Sequence, residues 1–578
     1  MKKLLYAALI AVLVSTVTVW VTKGGPSDSA AASSKSTPER GAGYWQGKKP
    51  THWPTKWPRP TVTPTVTPTT TVKPTTSTTT TTSTAPTQPT PTATSSTTNP
   101  PVPPPTTTVP TTLTTGPSIA GACSGTTINP GQDPQTVLNS KPEGTTFCFA
   151  AGVHRITKTL RPKANQVLAS SARAVLSGSV RLGDSYWKTS GDKWVVRGAL
   201  PAAYSKVGQC EDNVANICDL REQLFFDGKH LTRVGSLSQV TPTSFYADYA
   251  ANAIYIGRTP VGHAIEMSKT NQAIGTGGTG VIVRGLTIEH FASPAQTAAV
   301  EIGAGWQAIA NEFRDNHAVG LKLARADRAI VRANRVTRNG QLGISQWRSQ
   351  GAQILRNEID NNNTDGFWIA DWESGGIKST WSSGLIEANH VHDNLGIGVW
   401  SDIEENNKVI KGNRIDQNAA CGIRYEISYN GTIIGNTVTN NGFGVRRTGA
   451  GGGRSLFDGG GINVNTSSNV RIEGNTLTGN RNGVAVQSRD RGTATGGQGT
   501  FLLRNVKVVN NKIGIDSGTA TNGAVYLGSA TIPAGAVVFT GNQYNVDSLS
   551  ATRFNWMNKL MTTAQWKAAG NDTTGSFS

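Results

Sequence analysis

A glycine followed by alternating side chains recurs about every 23 residues along the chain, and asparagines keep step with it. The repeated segments read AAVEI, GLKLA, GISQW, GFWIA, GVWSD, GIRYE, GINVN and GVAVQ, and they begin at Ala298, Gly320, Gly343, Gly366, Gly398, Gly422, Gly461 and Gly483. Nine residues before five of these glycines stand Asn311, Asn334, Asn357, Asn389 and Asn413. A small unit that repeats in register predicts a solenoid of stacked coils. Short strands without helical periodicity predict an all-β parallel β-helix, with the asparagines forming a side-chain ladder.

The N-terminal part of the chain has a different composition. In residues 1–23, Lys2 and Lys3 precede an apolar run, which predicts a signal peptide or an N-terminal membrane anchor; the sequence leaves open whether it is cleaved. Residues 24–118 are dominated by Thr, Pro and Ser and predict a disordered stalk, because such a segment buries too little apolar surface to offset its ordering entropy. We therefore expect an exported protein, secreted or tethered to the cell membrane or wall.

The remaining chain divides into four parts. Residues 119–180 are expected to form an N-terminal cap and the first coils, since an open coil end would expose apolar side chains and strand edges. Residues 181–270 interrupt the repeat and predict a β-rich insert. Residues 271–550 are expected to form the main β-helix, and residues 551–578 its C-terminal cap.

The cysteines and the charge agree with export. Cys123 and Cys148 flank the expected cap, and Cys210 and Cys218 close a short loop, so we predict these two disulfides. Cys421 is left over as a small apolar residue of the turn stack, and the cysteine spacing fits no zinc site. The formal charge of +18 predicts an anionic partner such as a uronate polymer, a teichoic acid or an acidic lipid, and nucleic acid is disfavoured for an exported chain.

The repeat also predicts which side chains point outward. Side chains alternate along a strand, so those two and four residues after each glycine form two outward columns. The first column contains Lys322, Ser345, Trp368, Trp400 and Arg424, and the second contains Trp347, Ala370, Asp402 and Glu426. Exposed tryptophans offer flat apolar faces to sugar rings, and paired carboxylates can divide acid and base roles. The columns therefore predict a sugar-processing cleft around Asp402 and Glu426, although either acid alone is more typical of a solvated sheet face.

Two coils are oversized, with 32 residues from Gly366 to Gly398 and 39 from Gly422 to Gly461. Long loops on a rigid scaffold often carry binding residues. Asp371 on the first loop is a candidate site residue, or part of a calcium site with Glu373. Arg446 on the second is a candidate uronate ligand. No cofactor and no metal is expected otherwise. His390 and His392 are expected to be mainly structural and to lie on opposite sides of their strand.

The segment GVWSDIEENNKVIKGNRIDQNAACGIRYEISYNGTIIGN resembles exported bacterial right-handed parallel β-helix repeat proteins of the pectate-lyase-like superfamily. The shared pattern is W-x-D on one coil and E-I-S on the next, here Trp400, Asp402, Glu426, Ile427 and Ser428. The resemblance covers the chain from about residue 119 to its end. It implies the right-handed fold, while the superfamily includes lyases, hydrolases, epimerases and proteins without catalytic activity.

We therefore expect an exported, monomeric carbohydrate-active enzyme that cleaves a polysaccharide. A hydrolase needs only two carboxylates and is slightly favoured over a lyase, which needs a base and a positive centre, for which Lys322 and Arg424 are candidates. From side-chain length, Asp402 is predicted to be the nucleophile and Glu426 the acid/base. The alternative is a wall-tethered glycan-binding or adhesive protein that performs no chemistry.

Overall fold

The computed structural model of the protein describes residues 122–201, 210, 217–369, 373–443, 457, 459–514, 523–527 and 532–578. The predicted signal or anchor segment 1–23 and the stalk 24–118 lie outside the described residues. Two short α-helices, Pro134–Asn139 and Thr563–Ala568, are present. Within these described ranges, no helix has the length and apolar character needed to span a membrane.

Three long sheets run along the molecule, and each regular coil contributes one strand to each sheet in turn. Sheet 1 consists of Ala298–Ile302, Val319–Ala324, Leu342–Trp347, Gly375–Thr380, Ile397–Asp402, Ile423–Glu426, Gly460–Asn465, Asn482–Ser488, Gly523–Leu527, Phe554–Trp556 and Lys559–Met561. Sheet 2 consists of Thr126–Ile128, Thr146–Phe149, Val167–Ala169, Ile282–Arg284, Gln307–Ile309, Ile330–Arg332, Ala352–Leu355, Gly384–Glu387, Lys408–Lys411, Thr432–Ile434, Arg471–Glu473, Val506–Val509 and Val537–Thr540. Sheet 3 consists of Val153–Arg155, Val175–Ser177, Thr287–Glu289, Glu312–Arg314, Arg335–Thr337, Glu358–Asp360, His390–His392, Arg414–Asp416, Thr437–Thr439, Thr476–Thr478, Lys512–Gly514, Gln543–Asn545 and Ser576–Phe577.

Neighbouring strands in these sheets are parallel, apart from the last pair of sheet 1, Phe554–Trp556 with Lys559–Met561. Inward side chains of successive coils stack into one continuous apolar core, represented by Ile354, Val391 and Ile410. The predicted parallel β-helix is confirmed.

An insert separates the first coils from the regular ones. Its eight-stranded sheet consists of Ser179–Arg181, Lys188–Ser190, Lys193–Arg197, Leu224–Phe226, Lys229–Arg233, Ser244–Asp248, Ala253–Ile256 and Ile265–Ser268, with three 3-10 turns at Asp184–Tyr186, Ile217–Asp219 and Leu237–Gln239. The insert has its own apolar core around Phe226 and Phe245. Its His230 lies 3.4 Å from the carboxylate of Asp365 on the first oversized turn of the β-helix.

Both predicted disulfides are confirmed. Cys123 is bonded to Cys148, and Cys210 is bonded to Cys218. Cys421 is a buried free thiol, as predicted, but its surroundings are not purely apolar. Its sulfur accepts hydrogen bonds from Arg424 Nη2 at 3.2 Å and from Asn463 Nδ2 at 3.0 Å.

The asparagines form two buried ladders along the turns on either side of sheet 3. One ladder contains Asn311, Asn334, Asn357, Asn389, Asn413, Asn436, Asn475, Asn511 and Asn542, and the other contains Asn316, Asn339, Asn362, Asn394, Asn418, Asn441 and Asn480. Each amide Nδ2 donates to the Oδ1 of the next asparagine, as Asn389 does to Asn413 at 3.0 Å. The ladders satisfy backbone groups that turns of a stacked coil leave without strand partners.

Replacing Asn413 by Ala should lower the free energy of unfolding by about 3 kcal/mol, because it leaves several buried polar groups unsatisfied. Asn413 Nδ2 donates to Ile386 O at 2.9 Å, and its Oδ1 accepts from the backbone and side chain of Asn389. Asn406→Ala is the control, since Asn406 lies in an exposed ladder, where its side-chain oxygen accepts a hydrogen bond from Asn430 Nδ2 at 2.8 Å. Urea denaturation of both variants measures the difference, and equal losses would contradict a stabilising role for the buried ladder.

One strand prediction was wrong. The oversized coil after Gly343 contains two glycine-led segments, GFWIA and GGIKST, and the second forms the sheet 1 strand. Gly375 and Gly376 are suited to this strand because the next coil leaves no room for a side chain there. A Cβ at Gly375 would lie 2.1 Å from Ile397 O, and a Cβ at Gly376 would lie 2.5 Å from Gly398 O. Gly366, with φ +64°, lies in the turn that precedes the strand. Lys378 and Thr380 therefore occupy the column positions predicted for Trp368 and Ala370, and Ala370 itself lies outside the described residues.

Candidate active site

The outer face of sheet 1 brings the two predicted carboxylates onto neighbouring coils. Trp400 pairs in register with Arg424, and Ser401 pairs with Tyr425. Continuing that register by one residue places Asp402 opposite Glu426. Val399 and Tyr425 point into the core, so the alternating residues Trp400, Asp402 and Glu426 point away from it.

Lys378 connects Asp402 to the first oversized turn. Its Nζ lies 2.9 Å from Asp402 Oδ2 and 2.9 Å from Glu373 Oε1. The same ammonium lies 3.5 Å from the centroid of the Trp400 ring. A cation over an indole face is stabilised by the ring quadrupole, so this contact fixes both the lysine and the tryptophan beside Asp402.

Glu426 lies between two arginines and an asparagine. Its Oε1 forms an ion pair with Arg491 and accepts a hydrogen bond from Asn465 Nδ2 at 2.8 Å. The guanidinium of Arg424 lies 5.5 Å from the Trp400 ring centroid, on the same rung as Glu426. Glu426 is therefore surrounded by donors that favour its ionised form.

These surroundings shift the pKa values of the two carboxyl groups in opposite directions. Burial raises the pKa of Asp402, and the Glu426 carboxylate adds to that effect, although Lys378 opposes it. Burial would also raise the pKa of Glu426, but Arg424 and Arg491 outweigh it and hold the pKa below its usual value. Burial lowers the pKa of Lys378, yet Asp402 and Glu373 outweigh it, so the net shift is upward and the ammonium keeps its proton. The surroundings thus shift the pKa of one carboxyl upward and that of the other downward, as a division into acid and base roles requires.

The predicted exposure of the two acids was wrong. Asp402 is 5% exposed and Glu426 is 6% exposed. Residues from three long connections reach the site: Glu373 before strand Gly375–Thr380, Phe457 before Gly460–Asn465, and Arg491 after Asn482–Ser488. Residues of these connections cover the face of sheet 1 around Asp402 and Glu426, which the strand alternation alone does not predict, and we call this covered face the cleft.

The comparisons agree with the fold. A family model described as right handed beta helix region matches residues 296–460. The XylC structure in complex with xylose is 15% identical with a TM-score of 0.54, and the match covers 74% of this chain and 83% of XylC. The chain is a right-handed parallel β-helix protein. No curated protein matches it in sequence.

Two further solved structures are similar to the chain with lower TM-scores. The A-module of the mannuronan C-5 epimerase AlgE6 from Azotobacter vinelandii is 12% identical with a TM-score of 0.43, and the match covers 74% of this chain and 92% of that one. PfbA, a surface adhesin of Streptococcus pneumoniae, is 10% identical with a TM-score of 0.38, and the match covers 73% of this chain and 83% of that one.

Trp347 and Lys322 lie on the same outer face of the β-helix, on earlier coils. Register pairing places Trp347 opposite Thr380, and Thr380 opposite Asp402. Three cations surround the Trp347 ring, with Arg325 at 4.8 Å, Arg348 at 5.1 Å and Lys322 at 5.8 Å from its centroid. This basic aromatic patch continues the cleft two coils away from Asp402.

The structure places one predicted site residue, Trp368, away from the two carboxylates. Trp368 is buried against Cys210, Cys218 and Ala295, where the insert disulfide meets the β-helix, so it offers no face to a sugar. Asp371 and Arg446 lie outside the described residues. The predicted calcium site of Asp371 and Glu373 therefore includes a residue that the structure does not describe.

Sequence reasoning missed Lys378 and Arg491. The alternation in GGIKST could have identified Lys378, because its spacing from the second glycine matches the column rule. Arg491 has no local signal, since it reaches Glu426 across 65 residues of chain.

Proposed function

We propose that this protein is a carbohydrate-active enzyme that cleaves a polysaccharide, with glycoside hydrolysis as the reaction. The observation that carries the proposal is the pair Asp402 and Glu426, which lie on adjacent rungs of one cleft with pKa values shifted in opposite directions. A glycosidase needs one carboxylic acid and one carboxylate. Trp400 was predicted to offer its ring to a sugar, but it is 4% exposed and packs against Ile397 and Cys421, so it supports the pair from beside it instead.

The environments assign the roles. Asp402, with its raised pKa, is the general acid that protonates the leaving oxygen, and Glu426, held ionised, is the nucleophile or base. This reverses the assignment predicted from side-chain length. Neighbouring strands lie about 4.8 Å apart, so the carboxyl groups are nearer the roughly 5–5.5 Å of retaining enzymes than the roughly 6.5–9.5 Å of inverting enzymes.

The cations of the site support hydrolysis over elimination. A lyase needs a group that removes a proton next to a uronate carboxylate. The raised pKa of Lys378 and the guanidinium chemistry of Arg424 make both poor bases. They suit binding of negative charge instead, as does the patch of Lys322, Arg325 and Arg348 around Trp347. The proposed substrate is therefore an anionic polysaccharide.

The location and oligomeric state of the protein are part of the same proposal. Two disulfides are typical of proteins that work outside the reducing cytosol, so we propose an exported monomer that meets its polysaccharide at the cell surface or wall. The hydrolytic step that we propose uses no cofactor, because Asp402 gives a proton to the leaving oxygen and takes one back from the water that completes hydrolysis.

A second candidate is a glycan-binding or adhesive protein without catalytic activity. The low exposure of Asp402 and Glu426 and their ion pairs with Lys378 and Arg491 favour it, because buried paired carboxylates often serve structure alone.

Incubation of the purified protein with a panel of neutral and anionic polysaccharides separates the candidates. A hydrolase releases reducing ends without unsaturated uronates, whereas a lyase releases products that absorb in the ultraviolet. Binding of a polysaccharide on an affinity gel without any product would replace the enzyme proposal by the adhesive one. No binding and no product with any member of the panel would contradict both.

A further inference from the structure

A second cluster of chemically active side chains lies on the outer face of sheet 3. Glu358 pairs in register with His390, and Asp360 pairs with His392. The expectation that His390 and His392 lie on opposite sides of their strand was wrong, because residues two apart share a face. Their rings stack with centroids 3.9 Å apart, and both side chains are 16% exposed.

The three side chains converge on one point. One ring nitrogen from each histidine and one oxygen of Glu358 all lie within 4.8 Å of one another. His392 Nε2 is a buried atom with no hydrogen-bond partner, and it lies 3.6 Å from Glu358 Oε1. That separation is too long for a hydrogen bond. It is close to the roughly 3.3–3.4 Å edge of a tetrahedron whose ligands lie about 2.0–2.1 Å from a zinc ion.

Two further carboxylates contact the two rings. His390 Nε2 lies 2.8 Å from Asp416 Oδ1, and His392 Nδ1 lies 2.8 Å from Asp393 Oδ2. Metal-binding histidines characteristically donate their second N–H to such a carboxylate, which fixes the ring and raises its basicity.

The surrounding charge favours a divalent cation. The cluster contains four carboxylates, those of Glu358, Asp360, Asp393 and Asp416. Two of them form ion pairs with guanidiniums, Asp360 with Arg335 and Asp416 with Arg414. With neutral imidazoles the cluster therefore carries a net charge of −2.

We propose that Glu358, His390 and His392 form a binding site for a divalent transition-metal ion, with Zn²⁺ as the best match. Two imidazoles and one carboxylate are a common three-ligand set for zinc and leave the fourth position for water. The bound ion ties the coil of Glu358–Asp360 to the coil of His390–His392, next to the oversized turn that carries Glu373. This site is separate from the cleft on sheet 1 and does not depend on the proposed hydrolysis.

Zinc titration of the chelator-treated full chain tests the site, by calorimetry together with metal analysis of the dialysed protein. We expect one ion per wild-type chain, and a thermal midpoint that rises with zinc concentration, as for any ligand that binds only the folded state. His392→Gln and Glu358→Gln should each weaken binding by about 100-fold or more. Asp393→Asn should weaken it by about 10- to 100-fold, because it only orients the ring of His392.

His263→Gln is the matched control, because His263 also pairs with an aspartate, Asp227, but belongs to the insert. It should leave the binding isotherm unchanged. Substitution of Co²⁺ for zinc adds a spectroscopic readout, since a tetrahedral site absorbs strongly in the visible range. Absence of zinc binding by the wild type, or equal binding by the doubly substituted His390→Gln/His392→Gln protein, would overturn the proposal. Far-ultraviolet circular dichroism without metal checks that each variant is folded.

Discussion

Asp402→Asn and Glu426→Gln are each expected to lower kcat on a confirmed substrate by about 10²- to 10⁴-fold. Each amide keeps the shape of the side chain but can neither release nor accept the reacting proton. The folded state should persist, because Lys378 keeps Glu373 at 2.9 Å in Asp402→Asn, and Asn465 and Arg491 still meet an amide oxygen in Glu426→Gln. Initial rates by reducing-end assay, with thermal melting alongside, measure both effects.

The two variants should differ on an activated substrate. An aryl glycoside with a good leaving group needs little protonation, so Asp402→Asn should recover much of its rate there, whereas Glu426→Gln should not. The pH profile gives an independent readout. Activity needs Glu426 ionised and Asp402 protonated, so it should fall at low pH as Glu426 gains its proton, and fall at higher pH as Asp402 loses its own.

Glu301→Gln is the control for these variants. Glu301 also lies on the outward face of sheet 1, but on a strand four coils before that of Asp402. Its rate should match the wild type. Unchanged activity in both Asp402→Asn and Glu426→Gln would place the chemistry elsewhere.

Much of this site could be predicted from the sequence, because a β-helix converts sequence spacing directly into position. Asp402, Glu426, Trp400 and Arg424 fall at fixed distances from their glycines, and the structure places them on one face. The prediction failed for Trp368 because two glycine-led segments compete within one coil. Only contacts with the following coil favour Gly375 over Gly366 as the start of the strand.

The burial of Asp402 and Glu426 was also not predicted, for a different reason. Whether an outward residue meets water depends on the connections that cover it, and their path is not periodic. Arg491 approaches Glu426 from a connection that leaves sheet 1 two coils later. No rule of strand alternation contains that information.

A buried ion pair lies inside the coils, behind sheet 1. The pattern of outward side chains does not predict it. Lys408 and Glu405 are both 0% exposed, with Lys408 Nζ 3.0 Å from Glu405 Oε2. Lys408 also donates to Gln346 Oε1 at 2.8 Å, and Glu405 Oε1 accepts from Ser379 Oγ at 2.9 Å and from Ser382 N at 2.8 Å. Burial raises the pKa of Glu405 and lowers the pKa of Lys408, so each charge depends on the other.

Lys408→Met should therefore lower the free energy of unfolding by about 3–5 kcal/mol at neutral pH, because it leaves a buried carboxylate unpaired. Lys411→Met is the matched control on the same strand, since Lys411 is exposed and pairs with Glu387 at the surface. It should cost less than about 1 kcal/mol. Guanidinium denaturation measures both, and equal midpoints for the two variants would show that the buried pair contributes nothing.

The pH dependence identifies the cause of the loss. In Lys408→Met the unpaired Glu405 has a folded-state pKa above its unfolded value of about 4.3, so the protonated form is favoured in the folded protein. The destabilisation should be small below that value and should grow as pH rises and the unfolded chain releases its proton. Adding Glu405→Gln removes the unpaired charge, so the double variant should regain most of the stability and lose this dependence. A loss that is equally large at low pH, and is not relieved by Glu405→Gln, would instead indicate a packing defect around the new methionine.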